Sequence, residues 1–448
     1  MRASKILPTA LALTLAWGAS GARSADEIRY HGYFPTFPAP ATAQGIGPEG
    51  GPGVWLGGDT GLLCPIDESR MFYSFADVAI GPPGSLTRKD STNVRKGLAV
   101  GNTIAIATCR NGRFEVQHYF RGSPDRPQPF FMDENNLQND PRGSRLWLRK
   151  AFHHKGKLYI FALQIFEPGD PYNTFIIRVA NPLESPAAWN YEYINLGINP
   201  PPKPGKQPPA DQAVAYFGKD GFIDAANNYL YTYGIHAIYR DRNFSGSEVT
   251  ALRIPLDRLE TAPAGSDLGP VSEFLTSRPG VWRSGLIDVK DYHKVGIPAF
   301  NSFSVRYNAT LKAWQAVFGH DWPLQDYIAG KRQLDDPKVH TVYAMTSQSP
   351  FGPWSDPRPI ARYPEMDPGR ANVPGRASGN DCFAYFANEQ AAFEAWDGVI
   401  VLSYSVGSLA ADREHNDELK NTNMKLYNTY AWPAANPFFG PEKPAQVR

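Results

Sequence analysis

The stretch His154-Lys-Gly-Lys-Leu-Tyr-Ile-Phe-Ala-Leu-Gln164 joins a polar turn to a short strand of β-branched and aromatic residues. The same arrangement recurs at residues 67–77, 226–234, 307–317 and 395–405. The copies begin roughly 70 to 90 residues apart, about the length of one elaborated four-stranded propeller blade. The repeat therefore predicts five equivalent structural units, each containing one such strand.

Further short strands surround most copies, and Pro- and Gly-rich connections separate them. The segments that follow four of the copies are Gly97–Cys109, Thr174–Ala180, Val249–Ile254 and His340–Ser347. Closely spaced strands and turns of this kind are typical of propeller blades. We predict an all-β fold, a single five-bladed β-propeller over residues 25–448. A pair of two-sheet β-sandwiches is the alternative.

The composition of the 448-residue chain agrees with a turn-rich all-β protein. Gly (40) and Pro (41) are frequent and scattered, which disfavours long helices, and aromatic residues make up 13%. Apolar residues reach 42%, enough for a substantial core, which excludes a disordered chain. Lys and Arg (45) balance Asp and Glu (44), so we expect no nucleic-acid partner.

The N-terminus has the features of a secretory signal peptide. A basic start is followed by an apolar run from Ile6 to about Trp17, and Ala22-Arg-Ser24 offers small residues for cleavage before Ala25. A membrane anchor is the alternative, but the run is shorter than the roughly 20 residues that a span needs. We predict a signal peptide at residues 1–24, no membrane span, and a secreted protein, extracellular or periplasmic.

Three cysteines occur, Cys64, Cys109 and Cys382. In an oxidising compartment we expect one disulfide and one free thiol, and three pairings are open. We favour the pairing of Cys64 with Cys109, because both fall near strand ends of one predicted sheet. No two cysteines stand at metal-ligand spacing, so we predict no metal site.

Two carboxylates lie close to one another along the first unit. Asp59 lies in Trp55-Leu-Gly-Gly-Asp-Thr-Gly61, and Asp77 follows 18 residues later at the end of a strand. A strand, a turn and a returning strand would bring both acids to the same rim of the propeller. Two carboxylates can divide general-acid and general-base work at a scissile bond. Alternatively, both could hydrogen-bond turn amides, as aspartates near strand ends commonly do.

These residues carry a resemblance to a known family. Gly57-Gly-Asp59 followed by Phe75-Ala-Asp77 resembles the paired signature of the DUF4185 family, also described as glycoside hydrolase family 183, the endo-D-arabinanases. Asn93 before Leu98-Ala-Val-Gly101 matches a later element of the pattern. Weaker similarities over about residues 50–430 include Ser349-Pro-Phe-Gly-Pro-Trp-Ser355.

The resemblance implies a secreted glycoside hydrolase that cleaves a furanose polysaccharide, with Asp59 and Asp77 as the catalytic pair. The implied substrate is a D-arabinan, arabinogalactan or lipoarabinomannan, cut internally and with inversion by analogy to other glycosidase propellers. Ala76 and Val78 depart from the family's Gly and Thr. The segment 384–389 also differs from the His-Pro-Glu of many relatives, so another specificity, or binding without turnover, is an open alternative.

Four further residues are candidates for substrate binding. Trp147 could stack on a sugar face or belong to the core, and Gln164 could bind sugar hydroxyls or loop backbone. Glu389 could be a third acid or form a salt bridge, and Asn93 follows from the resemblance. We expect a polysaccharide partner, a monomer and no redox cofactor, and nothing in the sequence supports a structural cation. A protein-interaction propeller is a third possible reading.

Overall fold

A computed structural model describes most of the chain between Ile28 and Phe439. The described residues are 28, 30, 33–86, 101–132, 144–166, 170–198, 212–240, 243–278, 280–285, 291–299, 302–319, 341–363, 382–393, 398–408 and 428–439. Among the helices of these ranges, none has the length and apolar character needed to cross a membrane. The predicted signal peptide lies outside the described residues.

The first of five sheets closes on itself. Its strands are β1 (Ala41–Ile46), β2 (Pro52–Pro65), β3 (Arg70–Gly81), β4 (Thr103–Arg110) and β5 (Arg113–Arg121). Neighbouring strands pair antiparallel, and β1 also pairs in parallel with β5. The hairpin between β4 and β5 turns at Asn111-Gly112, both with positive φ, as a tight two-residue turn requires.

The other four sheets are open and run in chain order. The second contains β6 (Ser144–His154), β7 (Lys157–Phe166), β8 (Asp170–Val179) and β9 (Tyr191–Asn195). The third contains β10 (Gln212–Asp224), β11 (Tyr229–Arg240), β12 (Asn243–Pro255), β13 (Glu273–Leu275) and β14 (Trp282–Ser284). The fourth contains β15 (Phe303–Asn308), β16 (Ala313–Gly319), β17 (Thr341–Ser347) and β18 (Arg358–Arg362). The fifth contains β19 (Cys382–Glu389), β20 (Val399–Ser408) and β21 (Asn428–Ala435).

Helices in the described part of the chain are few and short. One α-helix, α1 (Leu256–Thr261), follows β12, and 3-10 turns occur at Pro186–Ala188, Gly269–Val271 and Ala391–Phe393. The predicted all-β class is therefore confirmed. The architecture is a propeller-like ring of four blades together with the closed first sheet.

The predicted repeat corresponds to the second strand of each of the four open sheets and to the third strand, β3, of the first sheet. The five copies fall on β3, β7, β11, β16 and β20, and the four predicted followers fall on the strands that come next, β4, β8, β12 and β17. The innermost strands of the five sheets are β2 in the first sheet and the first strand of each other sheet. Each innermost strand contacts the innermost strands of the two neighbouring sheets. Contacts run from β2 to β6, β6 to β10, β10 to β15, β15 to β19 and β19 back to β2.

The apolar core follows this ring. Five clusters of buried side chains occur, four of them between successive sheets and one enclosed by the first sheet and the edge of the fifth. Hydrogen bonds that involve side chains also cross each junction between sheets. These bonds run from Ser74 Oγ to Arg149 O, Phe217 N to Thr174 Oγ1, Val305 N to Asp220 Oδ2, Glu389 N to Ser304 Oγ and Gln390 Nε2 to Gly61 O.

The predicted disulfide between Cys64 and Cys109 is wrong. Both residues are buried and no disulfide joins them, and burial raises the pKa of the Cys109 thiol to about 11. Cys64 packs in the cluster between the first and second sheets, whereas Cys109 packs in the cluster inside the first sheet. They lie on β2 and β4, on either side of β3, and their side chains point to opposite faces. A disulfide needs Cα atoms within about 7 Å and converging side chains.

Candidate functional site

The inner strands of four sheets are interrupted by β-bulges. The pairing shifts at Asp59 in β2, at Arg149-Lys150 in β6, at Gly218-Lys219 in β10 and at Phe386-Ala387 in β19. Bulges bend a strand and redirect a side chain, and they are common next to active sites. The candidate site is formed where the bulges of β2, β6 and β19 meet.

The Gly-Gly-Asp-Thr-Gly sequence shapes the bulge of β2. A Cβ atom on Gly58 would lie 2.9 Å from Val78 Cγ2, and one on Gly61, which has φ of +62°, would lie 2.7 Å from Thr429 Cγ2. Thr60 also adopts positive φ, and its hydroxyl donates to the Asp59 carbonyl (2.6 Å) and accepts the Ala76 N–H. Glycines therefore permit the close approach of neighbouring strands, as expected from the sequence.

Asp59 and Asp77 lie across from each other on adjacent strands. The pairs Gly58–Val78 and Thr60–Phe75 flank them in the register of β2 and β3. Neighbouring strands in a sheet are separated by roughly 4.8 Å, so the two backbones place the acids within one strand spacing. The hairpin thus makes the two residues on which the predicted chemistry depends neighbours in the backbone of adjacent strands.

The Asp77 carboxylate is held from the second sheet. Trp147 Nε1 donates a hydrogen bond of 3.0 Å to Asp77 Oδ1, and Arg145 Nε lies 3.9 Å from the same oxygen. The Asp77 side chain retains 18% exposure, so solvent or a ligand can reach it. Trp147, predicted as a sugar platform or a core residue, contacts a candidate catalytic acid directly.

The Asp59 carboxylate is held from the fifth sheet. Tyr385 hydroxyl donates to Asp59 Oδ2 over 3.1 Å, across 326 positions of sequence. Asp59 is buried, with 8% exposure, and the next residue of β19, Phe386, has positive φ at the bulge. The two acids are therefore oriented by different neighbours, Asp77 by a residue of the second sheet and Asp59 by a residue of the fifth.

Arg149 lies beside both acids. Its guanidinium stacks near the rings of Trp147 (5.7 Å to the centroid) and Phe386 (5.2 Å), and the residue is 3% exposed. Burial lowers the pKa of Arg149, and the negative charges of Asp59 and Asp77 oppose that shift. The site therefore combines two carboxylates, one buried cation and aromatic rings in a largely buried environment.

A third carboxylate lies at the next bulge of the ring. Asp220 on β10 is buried, its Oδ1 lies 3.4 Å from Lys150 Nζ, and its Oδ2 accepts the Val305 N–H. Burial raises the pKa of Asp220, and the positive charge of Lys150 opposes the shift. These contacts tie the second, third and fourth sheets together, which makes Asp220 a structural neighbour of the site.

The remaining predicted residues are spread through the molecule. Gln164 lies on β7 and is fully buried, and its role in sugar binding stays a prediction. Glu389 forms an ion pair with Arg306 (2.7 Å), and Gln315 Nε2 donates to its other oxygen (3.2 Å). Of the two interpretations of Glu389, the structure shows the salt bridge. Asn93 lies outside the described residues.

Arg149 and Tyr385 were not among the residues predicted from the sequence. Arg149 stands two positions after Trp147, and Tyr385 lies in the segment noted only for its departure from the family pattern. A period-two strand pattern would give Arg149 the same face as Trp147, which was a usable signal. The contact of Tyr385 with Asp59 depends on ring closure and has no local signal.

No family model matches the sequence, and neither does any curated protein. Membership of the DUF4185 family therefore stays a prediction.

Solved structures are similar to this chain in fold. A protein from Bacteroides ovatus ATCC 8483, itself only provisionally named a hydrolase, has 13% identity and a TM-score of 0.52, with 85% of this chain and 86% of that chain covered. The GH43_1 enzyme from Xanthomonas citri complexed with xylotriose has 12% identity and a TM-score of 0.39, with 88% and 90% covered. A levansucrase mutant of B. megaterium has 11% identity and a TM-score of 0.41, with 92% and 89% covered. The first of these similarities supports a shared fold over most of both chains.

Proposed function

We propose that this protein is a glycoside hydrolase in which Asp59 and Asp77 perform acid/base catalysis. The observation that supports the proposal is the placement of both carboxylates on adjacent strands beside one buried cation and aromatic rings. Two such acids can protonate a glycosidic oxygen and activate a water molecule. The first sheet would take the place of the fifth blade in a five-bladed propeller.

The finer proposal is an exported endo-acting enzyme with a D-arabinan substrate and inversion at the anomeric carbon. It depends on the sequence resemblance through Gly57-Gly-Asp59 and Phe75-Ala-Asp77 and on the N-terminal signal pattern. In an inverting enzyme one carboxylic acid protonates the leaving oxygen while the other carboxylate deprotonates water on the opposite face of the sugar. The transition state resembles an oxocarbenium ion, and no external cofactor is needed.

The test is product release from arabinogalactan, lipoarabinomannan and a panel of neutral polysaccharides. Wild type is compared with Asp59→Asn and Asp77→Asn, and Asp67→Asn is the matched control because Asp67 only caps the β2–β3 turn through Ser69 and Arg70. We expect oligosaccharides from wild type and the control, and at least a 100-fold loss in both site variants. NMR of the first-formed anomer then reports inversion or retention.

A carbohydrate-binding propeller without turnover is the competing function. It would need aromatic surfaces but no pair of acids, and wild type would bind glycans without releasing products. An enzyme of the proposed type should show a bell-shaped dependence of rate on pH. Binding with no product from any polysaccharide of the panel would contradict the proposal.

A further inference from the structure

The Arg149 guanidinium is buried without the hydrogen bonds that a structural arginine makes. Its Nε is buried and has no partner, and within the described part of the chain no group accepts a hydrogen bond from its side chain. Its side-chain contacts are the rings of Trp147 and Phe386. A guanidinium carries five N–H donors, and a buried donor such as the Arg149 Nε is almost always satisfied.

Arg178 shows how the same fold satisfies a buried arginine. It is 7% exposed, and its guanidinium donates to the Glu192 carboxylate and to the carbonyls of Leu259, Glu260 and Ala262. Its role is to join α1 to the second sheet. The contrast indicates that the N–H donors of Arg149 are available to a bound ligand.

The groups that supply negative charge near Arg149 do not accept hydrogen bonds from it. The carboxylates of Asp59 and Asp77 both act on its charge, although neither accepts a hydrogen bond from it among the described contacts. The guanidinium therefore has negative charge nearby but no hydrogen-bond acceptor among the described residues. A ligand carboxylate or phosphate would be repelled by the two aspartates, whereas neutral hydroxyl oxygens would not.

We propose that Arg149 binds a vicinal pair of hydroxyl groups on a neutral sugar residue held beside Asp59 and Asp77. The inference rests on the proposed function, because it takes this site as the substrate site. Trp147 and Phe386 hold the guanidinium between them, so its planar donors keep one orientation. A site built to pair with hydroxyl groups discriminates strongly against sugars that lack one of them.

The first test measures binding by calorimetric titration of the full chain, with residual ligand checked for cleavage. The probes are neutral arabino-, xylo- and fructo-oligosaccharides, and oligogalacturonate is the acidic counterpart. We expect a neutral probe to bind wild type and to bind Arg149→Met at least tenfold more weakly. Arg149→Lys should also bind weakly, because an ammonium lacks the planar pair of donors.

The control is Arg253→Met. Arg253 also packs between two rings, Tyr229 (4.1 Å) and Trp282 (4.6 Å), but it is paired with Glu273. Its replacement should leave sugar affinity within twofold of wild type. A general effect of removing a stacked arginine would lower affinity in both variants and would overturn the inference.

Thermal unfolding gives a second readout, for which a ligand-binding role and a structural role of Arg149 predict different results. Because Arg149 leaves donors unsatisfied, Arg149→Met should unfold at the same temperature as wild type or higher, whereas Arg178→Met should unfold at a lower one. A fall for Arg149→Met as large as that for Arg178→Met would overturn the inference.

The binding outcomes are distinguishable from those of the proposed function. Equal affinity of Arg149→Met and wild type, preference of wild type for oligogalacturonate, or no binding of any neutral probe would each overturn the role of Arg149. Binding that depends on Arg149 but releases no product would support the role of Arg149 and contradict the hydrolase activity.

Discussion

Trp147 Nε1 donates a 3.0 Å hydrogen bond to Asp77 Oδ1, so an indole of the second sheet orients a carboxylate of the first. The bond crosses a junction between two sheets whose inner strands are both bulged. Hydrogen bonds to charged groups are the stronger ones, worth roughly 1.5–3 kcal/mol. The orientation of the candidate acid is thus a property of how two sheets pack.

Trp147→Phe should lower kcat with little change in KM. The substitution keeps an aromatic ring in place but removes the N–H that holds Asp77. We expect kcat to fall by about tenfold or more, equivalent to about 1.4 kcal/mol of transition-state stabilisation. Steady-state kinetics on the polysaccharide that wild type cleaves provide the measurement. A rise in KM with unchanged kcat would instead assign Trp147 to sugar stacking alone.

Tyr385→Phe should impair the same reaction through Asp59. The variant loses only the hydroxyl that donates to Asp59 Oδ2, and the ring remains packed against Phe386. We expect kcat to fall by about tenfold, because an oriented carboxylate is replaced by a freer one. Tyr430→Phe, a tyrosine on β21 of the same sheet, is the control and should retain activity. Equal losses in the two variants would show a general effect of the fifth sheet.

Glu389 should prove to be important for stability. Its carboxylate is 3% exposed and paired with Arg306, which is itself 14% exposed. Glu389→Leu leaves the guanidinium buried without its partner and should cost about 3 kcal/mol or more of unfolding free energy. The double variant with Arg306→Met should recover much of that loss. Urea unfolding measures both, and Lys155→Met, which removes a surface pair with Glu260, should cost under about 1 kcal/mol.

His118 should make the protein sensitive to acid. It is fully buried, stacks on Trp55 (4.3 Å between centroids), and burial lowers its pKa to about 3. Because the folded-state pKa lies below the unfolded value of about 6.5, the unfolded chain takes up a proton first as the pH falls. Stability is complete above about pH 6.5 and is lost towards pH 3, by roughly 3 kcal/mol at pH 4.

The measurement is urea unfolding of wild type and His118→Leu between pH 7 and pH 4. Leucine cannot take up a proton, and the contributions of carboxylates cancel when the two proteins are compared. We expect the difference in unfolding free energy to shift by roughly 3 kcal/mol in favour of the variant. A difference that stays constant with pH would show that His118 is protonated in the folded protein.

The sequence was sufficient for the strand repeat, because the repeat is local. A polar turn followed by alternating β-branched and aromatic residues specifies a strand wherever it occurs, and all five copies form strands. Gly57-Gly-Asp59 likewise indicated a close backbone approach. The pairing of Asp59 with Asp77 followed from a single hairpin, which a sequence can suggest.

Other features depended on register and ring closure. Cys64 and Cys109 lie in the same sheet, yet their side chains point to opposite faces, and a shift of one residue would reverse that. From the sequence, Glu389 could bind substrate or form a salt bridge. The structure shows an ion pair with Arg306, which belongs to another sheet.

Strand pattern and turn chemistry alone thus determined the class of fold and one hairpin with its two acids. Only the tertiary structure decided which side chains surround those acids. Tyr385 contacts Asp59 because the fifth sheet returns to the first, and Arg149, at a bulge of β6, lies where the charges of both acids act on it. Local sequence encodes backbone periodicity, whereas contacts between distant strands depend on how all five sheets pack together.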